Sequence, residues 1–406
     1  MTAPEPPGAE ATRPRIPLYS DEFTADPHRV YREMRRLFGP FVPVELAPGV
    51  PATLVIGYRA GLEILNDSDR FSADPRDWQR TVPDDCPALP MLGWRPIPMR
   101  NTGAAHTRLR SVVGATLAEV DLHAVHRVVE RTATPLINSF CSSGTADLVS
   151  DYALPLVFAV VMELLGCPPA LGAQAAAHLA TIADGGDMHQ AIIGLESSML
   201  ELIQMKRTTP RSDIGTGLLR HGAALDDDEL LQQLVMFYGV GMEPVQALIT
   251  NTLRLLIIDK PFGDDITSGA LSTRDALDQV LFADPPLPNN CIRYPVRPIL
   301  IDSVWLPAHQ PVVVSMAACN NDPDAGGGRH IGNRAHLAWG AGVHACPARP
   351  LSYLIAQSSV DHLLEALPDI RLRVPDNELR WQPGLLQRAL AELPVTFEPS
   401  PPLPTP

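Results

Sequence analysis

The residues best placed to do chemistry lie in one stretch, Trp339-Gly340-Ala341-Gly342-Val343-His344-Ala345-Cys346-Pro347. One cysteine follows a loop punctuated by two glycines and opens an amphipathic segment predicted as a helix over 347–368. A sulfur at a helix start faces free backbone N–H groups and the positive end of the helix dipole, which favour thiolate over thiol. Pro347 suits the first helical position, where a missing N–H costs nothing. Gly340 and Gly342 allow a tight turn and a close approach to a flat partner. A buried thiolate against such a partner is one way in which haem iron is held. The same residues also fit a structural cysteine in a glycine loop. The letters Gly340-Ala341-Gly342-x-x-Ala345 match a nucleotide fingerprint too, but no βαβ pattern surrounds them.

The surrounding chain has the means to bury such a site. It has 406 residues, 45% of them hydrophobic, which is ample for a large core. Its net charge of −14 argues against a general nucleic-acid or anionic-membrane surface. No apolar run approaches the roughly 20 residues needed to span a bilayer. The opening residues are polar and proline-rich, unlike a signal peptide. Six dispersed cysteines without a Cys-x-x-Cys pair suit a reducing cytosol, and speak against a disulfide framework or structural zinc. A cytoplasmic protein is expected.

The elements that must position the cysteine are mostly helices. Apolar periodicity predicts them over 27–38, 104–118, 120–141, 147–165, 171–184, 187–207, 226–259 and 273–283. Residues 41–57 read as two strands joined at Pro48-Gly49, and 290–316, 369–374 and 393–397 as further short strands. Residues 72–101, with Trp78 and Trp94, read as a long irregular segment. The expected organisation is a mainly α fold with small β-sheets: a disordered proline-rich end over 1–17, one domain over 18–397, and a proline-rich tail over 398–406.

Together these features resemble the cytochrome P450 family. Its haem loop reads Phe-Gly-x-Gly-x-His-x-Cys-x-Gly, against Trp339-Gly340-x-Gly342-x-His344-x-Cys346-x-Ala348 here. His106-Thr107-Arg108-Leu109-Arg110, the run from Met162 to Pro168, Asn320-Asn321-Asp322-Pro323 and the run from Trp381 to Leu386 also recur in the family, in this order. The resemblance implies the cytochrome P450 fold with haem b between two long helices and Cys346 as the iron ligand. It implies that His106, Arg110, Arg297 and His344 contact the haem propionates, with Trp339, Gly340 and Gly342 forming the cofactor loop.

Three departures accompany the likeness. The distal helix of the family carries Ala-Gly-x-(Asp/Glu)-Thr, whereas this chain reads Val240-Gly241-Met242-Glu243-Pro244. The acid stays and the proton-relaying alcohol is gone, while proline can keep a helix distortion. The Glu-x-x-Arg pair becomes Gln279 and Phe282, and a shift to Asp278 and Leu281 restores nothing. The loop after Pro323 is shorter and lacks aromatics. The second and third changes are read as linked, a buried ion network lost together with the loop it anchored.

By this resemblance the chain is expected to be a haem-thiolate oxidoreductase of monooxygenase type acting on a small or medium apolar metabolite of secondary metabolism. Gly241, Glu243 and Pro244 would border the reaction. Phe237, Val240, Val245, Ile292, Tyr294, Val296, Leu385 and Leu386 would line the pocket, with part of the 78–98 loop. Electrons would come from a ferredoxin and an NAD(P)H-dependent reductase, docking near Arg108, Arg329, Arg334 and Arg349. Peroxide-driven or non-oxygenating chemistry is the variant that Pro244 raises. The alternative is a haem protein of the same fold that serves as a sensor or partner subunit.

Overall fold

The computed structural model describes residues 14–183, 187–325 and 330–404, and it is 55% helical with small sheets. The dominant element is the 32-residue helix Asp227–Ile258. It starts at a capping box: the Asp226 side chain accepts from the Glu229 N–H, and the Glu229 side chain accepts from the Asp226 N–H. Asp227, Asp228 and Glu229 complement the dipole in its first turn. Its buried residues, among them Leu234, Tyr238, Leu248 and Leu253, join one large core with the helices Leu122–Phe140, Leu154–Leu164, Thr273–Ala283 and Arg349–Ala366. The Arg349–Ala366 helix begins two residues later than the sequence predicts. Pro350, not Pro347, occupies its first turn.

The β part lies to one side. Its six-stranded sheet has the order Ile16–Pro17, Phe41–Ala47, Val50–Val55, Val312–Val314, Cys291–Pro295, Phe71–Ser72. The Ile16–Pro17 and Val312–Val314 contacts with their neighbours Phe41–Ala47 and Val50–Val55 are parallel, and the remaining pairs are antiparallel. A separate hairpin, Ile299–Ile301 with Val304–Leu306, turns at Asp302 and Ser303. Both have positive φ, as this turn requires of its two central residues.

Both ends are more ordered than expected where they are described. Ile16 and Pro17 pair with Val44 and Glu45 instead of being disordered, because a strand edge was open to them. In the tail, the Leu403 N–H donates to Asn138 Oδ1 and the Asn138 side-chain amide donates to Leu403 O. Residues 1–13 and 405–406 of the two predicted ends lie outside the described residues. The 72–101 segment contains two short helices, Arg76–Gln79 and Leu89–Leu92, and a 3-10 turn, Pro98–Arg100. Trp78 is buried there against Tyr294, with ring centroids 6.0 Å apart. The helices Tyr58–Asn66, Ile214–Arg220 and Lys260–Thr267 were not predicted.

Candidate functional site

A cavity of about 220 Å³ lies between the helices Gly103–Ala118, Asp227–Ile258 and Arg349–Ala366 and the strand Cys291–Pro295. Cys346 borders it, held by a loop that is fixed on several sides. The Cys346 N–H donates to Trp339 O at 2.8 Å, and the Gly340 N–H donates to Leu337 O at 2.7 Å. Arg110 donates to Ala345 O. Gly342 has φ +66°, and a Cβ there would stand 2.5 Å from Leu65 O, so both its conformation and its space demand glycine. Burial pushes the Cys346 thiol up, against the backbone N–H groups of Ala348 and Arg349 and the charges of Arg110 and Arg349. The helix start therefore does not by itself hold this thiol below its ordinary range, contrary to the sequence expectation.

One end of the cavity is cationic. Arg100, His106, Arg110, Arg293 and His344 all line it, and no Asp or Glu does. The His106 and His344 rings lie 4.1 Å apart, and His106 Nε2 is buried without a partner. Burial, then Arg293, His106 and Arg110, push His344 down to about 3. Burial, then Arg110 and Arg293, lower His106 as well. The guanidinium groups of Arg100, Arg110 and Arg293, buried or half-buried, call for anionic partners, and the two histidine rings offer N–H donors beside them. A flat body with two carboxylates and an iron that takes one sulfur satisfies this donor set, so the residues present fit haem b.

The predicted Arg297 is not part of this group. It is exposed, and Arg293, four residues earlier on the strand, takes the position. Sequence register placed the charge four residues too late, because each arginine stands shortly before a proline, Pro295 or Pro298. Trp339, Gly340, His106, Arg110 and His344, expected to contact the cofactor, line the cavity, while Gly342 supports the loop from behind.

The opposite wall is apolar. Gly241, Pro244, Phe237, Val240, Val245 and Ile292 line it. Pro244 sits inside the long helix and removes the amide that would otherwise meet the carbonyl of Val240. Glu243 is exposed and outside the lining; desolvation by the surrounding protein still pushes its carboxyl above the ordinary range. Tyr294 packs on Trp78, Val296 is 45% exposed, and Leu385 and Leu386 join the core beside the sheet. These four do not line the cavity. Of the expected 78–98 loop only Pro98 does, followed by Met99 and Arg100. Sequence reasoning missed Arg100, Asn290 and Cys291, whose proximity to the site depends on how the chain folds back.

The ion network expected to be lost is present in altered form. Asp278, with a side chain only 4% exposed, pairs with Arg274 at 3.3 Å and with Arg334 of the loop before Cys346 at 3.2 Å. Tyr353 donates to Asp278, and the Trp339 Nε1–H donates to the Tyr353 hydroxyl at 3.2 Å. His336 Nε2 lies 3.6 Å from Asp278. Burial alone would raise the Asp278 carboxyl; hydrogen bonds from His336 and Tyr353 and the Arg274 charge outweigh it and hold it below the ordinary range. Gln279 and Phe282 serve the same loop differently. Gln279 accepts from the His330 N–H at 2.9 Å, and the Phe282 ring stacks on His330 at 4.0 Å. The acid has thus moved to Asp278 and its helical partner to Arg274, one turn earlier.

The expected basic dock is largely engaged. Arg108 pairs with Glu229, Arg334 with Asp278, and Arg349 lies over the Tyr353 ring. Arg329 lies outside the described residues.

No protein-family model matches this chain. It is similar to the cytochrome P450 monooxygenase PikC of Streptomyces venezuelae, 28% identical with 96% of each chain covered. It is equally similar to 6-deoxyerythronolide B hydroxylase of Saccharopolyspora erythraea, 28% identical over 94% of this chain and 98% of the relative. Among solved structures, CYP154C4 from Streptomyces sp. ATCC 11861 superposes with a TM-score of 0.86 at 26% identity, covering 95% of this chain and 99% of that one.

Proposed function

The chain belongs to the cytochrome P450 family and is an oxidoreductase of its monooxygenase type, and from that premise we propose that it oxidises a small or medium apolar secondary metabolite in the cavity bordered by Cys346. The observation that supports this reading is the division of that cavity: one sulfur and a cationic end that fit haem b, facing an apolar wall from the Asp227–Ile258 helix. Haem, when bound, supplies the iron at which dioxygen or peroxide is reduced. Cys346 would hold that iron, and His106, Arg110, Arg293 and His344 would hold the haem carboxylates. Phe237, Val240 and Val245 would orient the substrate and exclude water.

Pro244 has no proton to give, so protons would reach the site through water or a substrate hydroxyl, with Glu243 as the adjoining acid of the helix. This residue also favours a second route, in which peroxide replaces dioxygen and external electrons. For the first route we propose a ferredoxin and an NAD(P)H-dependent reductase as electron source. No helix among the described residues is long and apolar enough to cross a membrane, and we propose a cytoplasmic enzyme.

The carbon-monoxide difference spectrum of the reduced protein tests the ligand: a haem-thiolate band is expected, and its absence would refute the proposal. Product yield per NADPH with ferredoxin and reductase, against yield with peroxide, separates the two routes. Pro244→Thr should raise the NADPH-driven yield several-fold relative to the peroxide-driven one. An unchanged ratio would refute the role given to Pro244.

A further inference from the structure

Arg100 carries a charge that the haem-binding group leaves over. It closes the 3-10 turn Pro98–Arg100, is 6% exposed and lines the cavity. One guanidinium nitrogen donates to Met91 O at 2.9 Å. Among the described residues no carboxylate pairs with it. The buried hydroxyl of Tyr294, which has no partner, is its neighbour, together with the cations Arg95 and Arg293. An arginine keeps its proton in a folded protein, so a buried guanidinium without a counter-ion is a costly arrangement that a ligand can relieve.

The charges of the site can be matched one by one. Three guanidinium groups line the cavity, those of Arg100, Arg110 and Arg293. Arg110 and Arg293 act together on both His106 and His344, which places these four in one group. Haem b brings two carboxylates, enough for Arg110 and Arg293. Arg100 acts on Arg293 but on neither histidine, and it follows Pro98 and Met99 on the wall of the cavity. Two carboxylates among three guanidinium groups leave one over, and Arg100, buried on the cavity wall without a carboxylate partner, is that one.

We propose that Arg100 binds a carboxylate of the substrate, so that the metabolite accepted here is a carboxylic acid held at its acid end while its apolar body lies along Gly241 and Pro244. This rests on the proposed haem-thiolate function and adds the chemical class of its substrate. A charge-assisted, bidentate contact to a guanidinium in a dry cavity discriminates strongly against a neutral ester of the same shape.

The test is a titration of the haem-loaded protein followed by the Soret shift. The probes are octanoic acid and 2-naphthoic acid, each against its methyl ester. The wild type should bind at least one acid about tenfold or more tightly than its ester. In Arg100→Gln the ratio should fall to about one, and in Arg100→Lys it should stay above one. Equal binding of acid and ester by the wild type, or a preference that survives in Arg100→Gln, would overturn the proposal. Loss of haem from Arg100→Gln, measured on the same preparation, would also overturn it, because Arg100 would then belong to the haem carboxylates. The carbon-monoxide spectrum keeps the two readings apart: a missing thiolate band refutes the proposed function, whereas a normal band without acid preference refutes only the role of Arg100.

Discussion

Replacing Asp278 by asparagine keeps the shape of the side chain and its contact with Tyr353, and removes the charge shared by Arg274 and Arg334. Breaking a buried ion pair from one side typically costs about 3–5 kcal/mol. Here the arginines are not sealed: their side chains are 26% and 54% exposed, so water recovers part of the loss. We expect about 2–3 kcal/mol. With an unfolding entropy of about 2.1 cal/mol/K per residue, a chain of this length loses roughly 3 °C in Tm. The assay is thermal unfolding of the haem-loaded protein, wild type against Asp278→Asn, Arg334→Gln and the double variant. Arg334→Gln should cost less than Asp278→Asn, and should cost almost nothing once Asp278 is gone. The pH dependence has a fixed sign. The Asp278 carboxyl is depressed on folding, so its contribution is fully present above the unfolded value of about 3.9 and fades as pH falls through the lower folded value. The difference between wild type and Asp278→Asn should be flat above about pH 5 and shrink in more acidic solution. A loss below about 0.5 kcal/mol at neutral pH, or a difference that grows on acidification, would refute the network.

Two further outcomes follow from the same geometry. Arg293→Gln should release haem to an apomyoglobin acceptor at least about tenfold faster than wild type, because it removes a charged hydrogen bond worth about 1.5–3 kcal/mol. Arg297→Gln should match wild type, and equal effects from both would restore the register read from sequence. Gly166→Ala should destabilise the protein by about 3–5 kcal/mol in a denaturant titration. Gly166 has φ +66°, and a Cβ there would lie 2.1 Å from Lys206 Nζ and 2.2 Å from Asp213 Oδ2, splitting a pair whose side chains are 5% and 7% exposed. A cost under 1 kcal/mol would show that the pair can move aside.

The long helices were legible because their signals are local. Asp226 and Glu229 mark the start of the Asp227–Ile258 helix three residues apart, and apolar periodicity carries it on. Cys346, His106, Arg110 and His344 were legible through the resemblance, which fixes spacing within a motif. Arg293 was not, because two arginines four residues apart fit the same pattern and only the pairing of Cys291–Pro295 with Val312–Val314 selects one. Asp278 was misjudged for a different reason. Expecting an acid and a base three residues apart hid an equivalent pair at Arg274 and Asp278, whose i, i+4 spacing also shares a helix face. Arg100 and the misplaced Tyr294 depend on how the 72–101 segment folds back on the sheet, which no local pattern encodes.

The altered pair at Arg274 and Asp278 also runs in the reverse direction along its helix. The cation comes first, close to the positive end of the dipole, an order that supports an isolated helix less well than acid before base. The Thr273–Ala283 helix therefore gains little from this pair on its own. The charges become useful when Arg334 and Tyr353 arrive from sequence positions more than fifty residues downstream. In kinetic terms, we expect Asp278→Asn to speed unfolding more than it slows folding; stopped-flow rates showing mainly slower folding would refute a late-forming network.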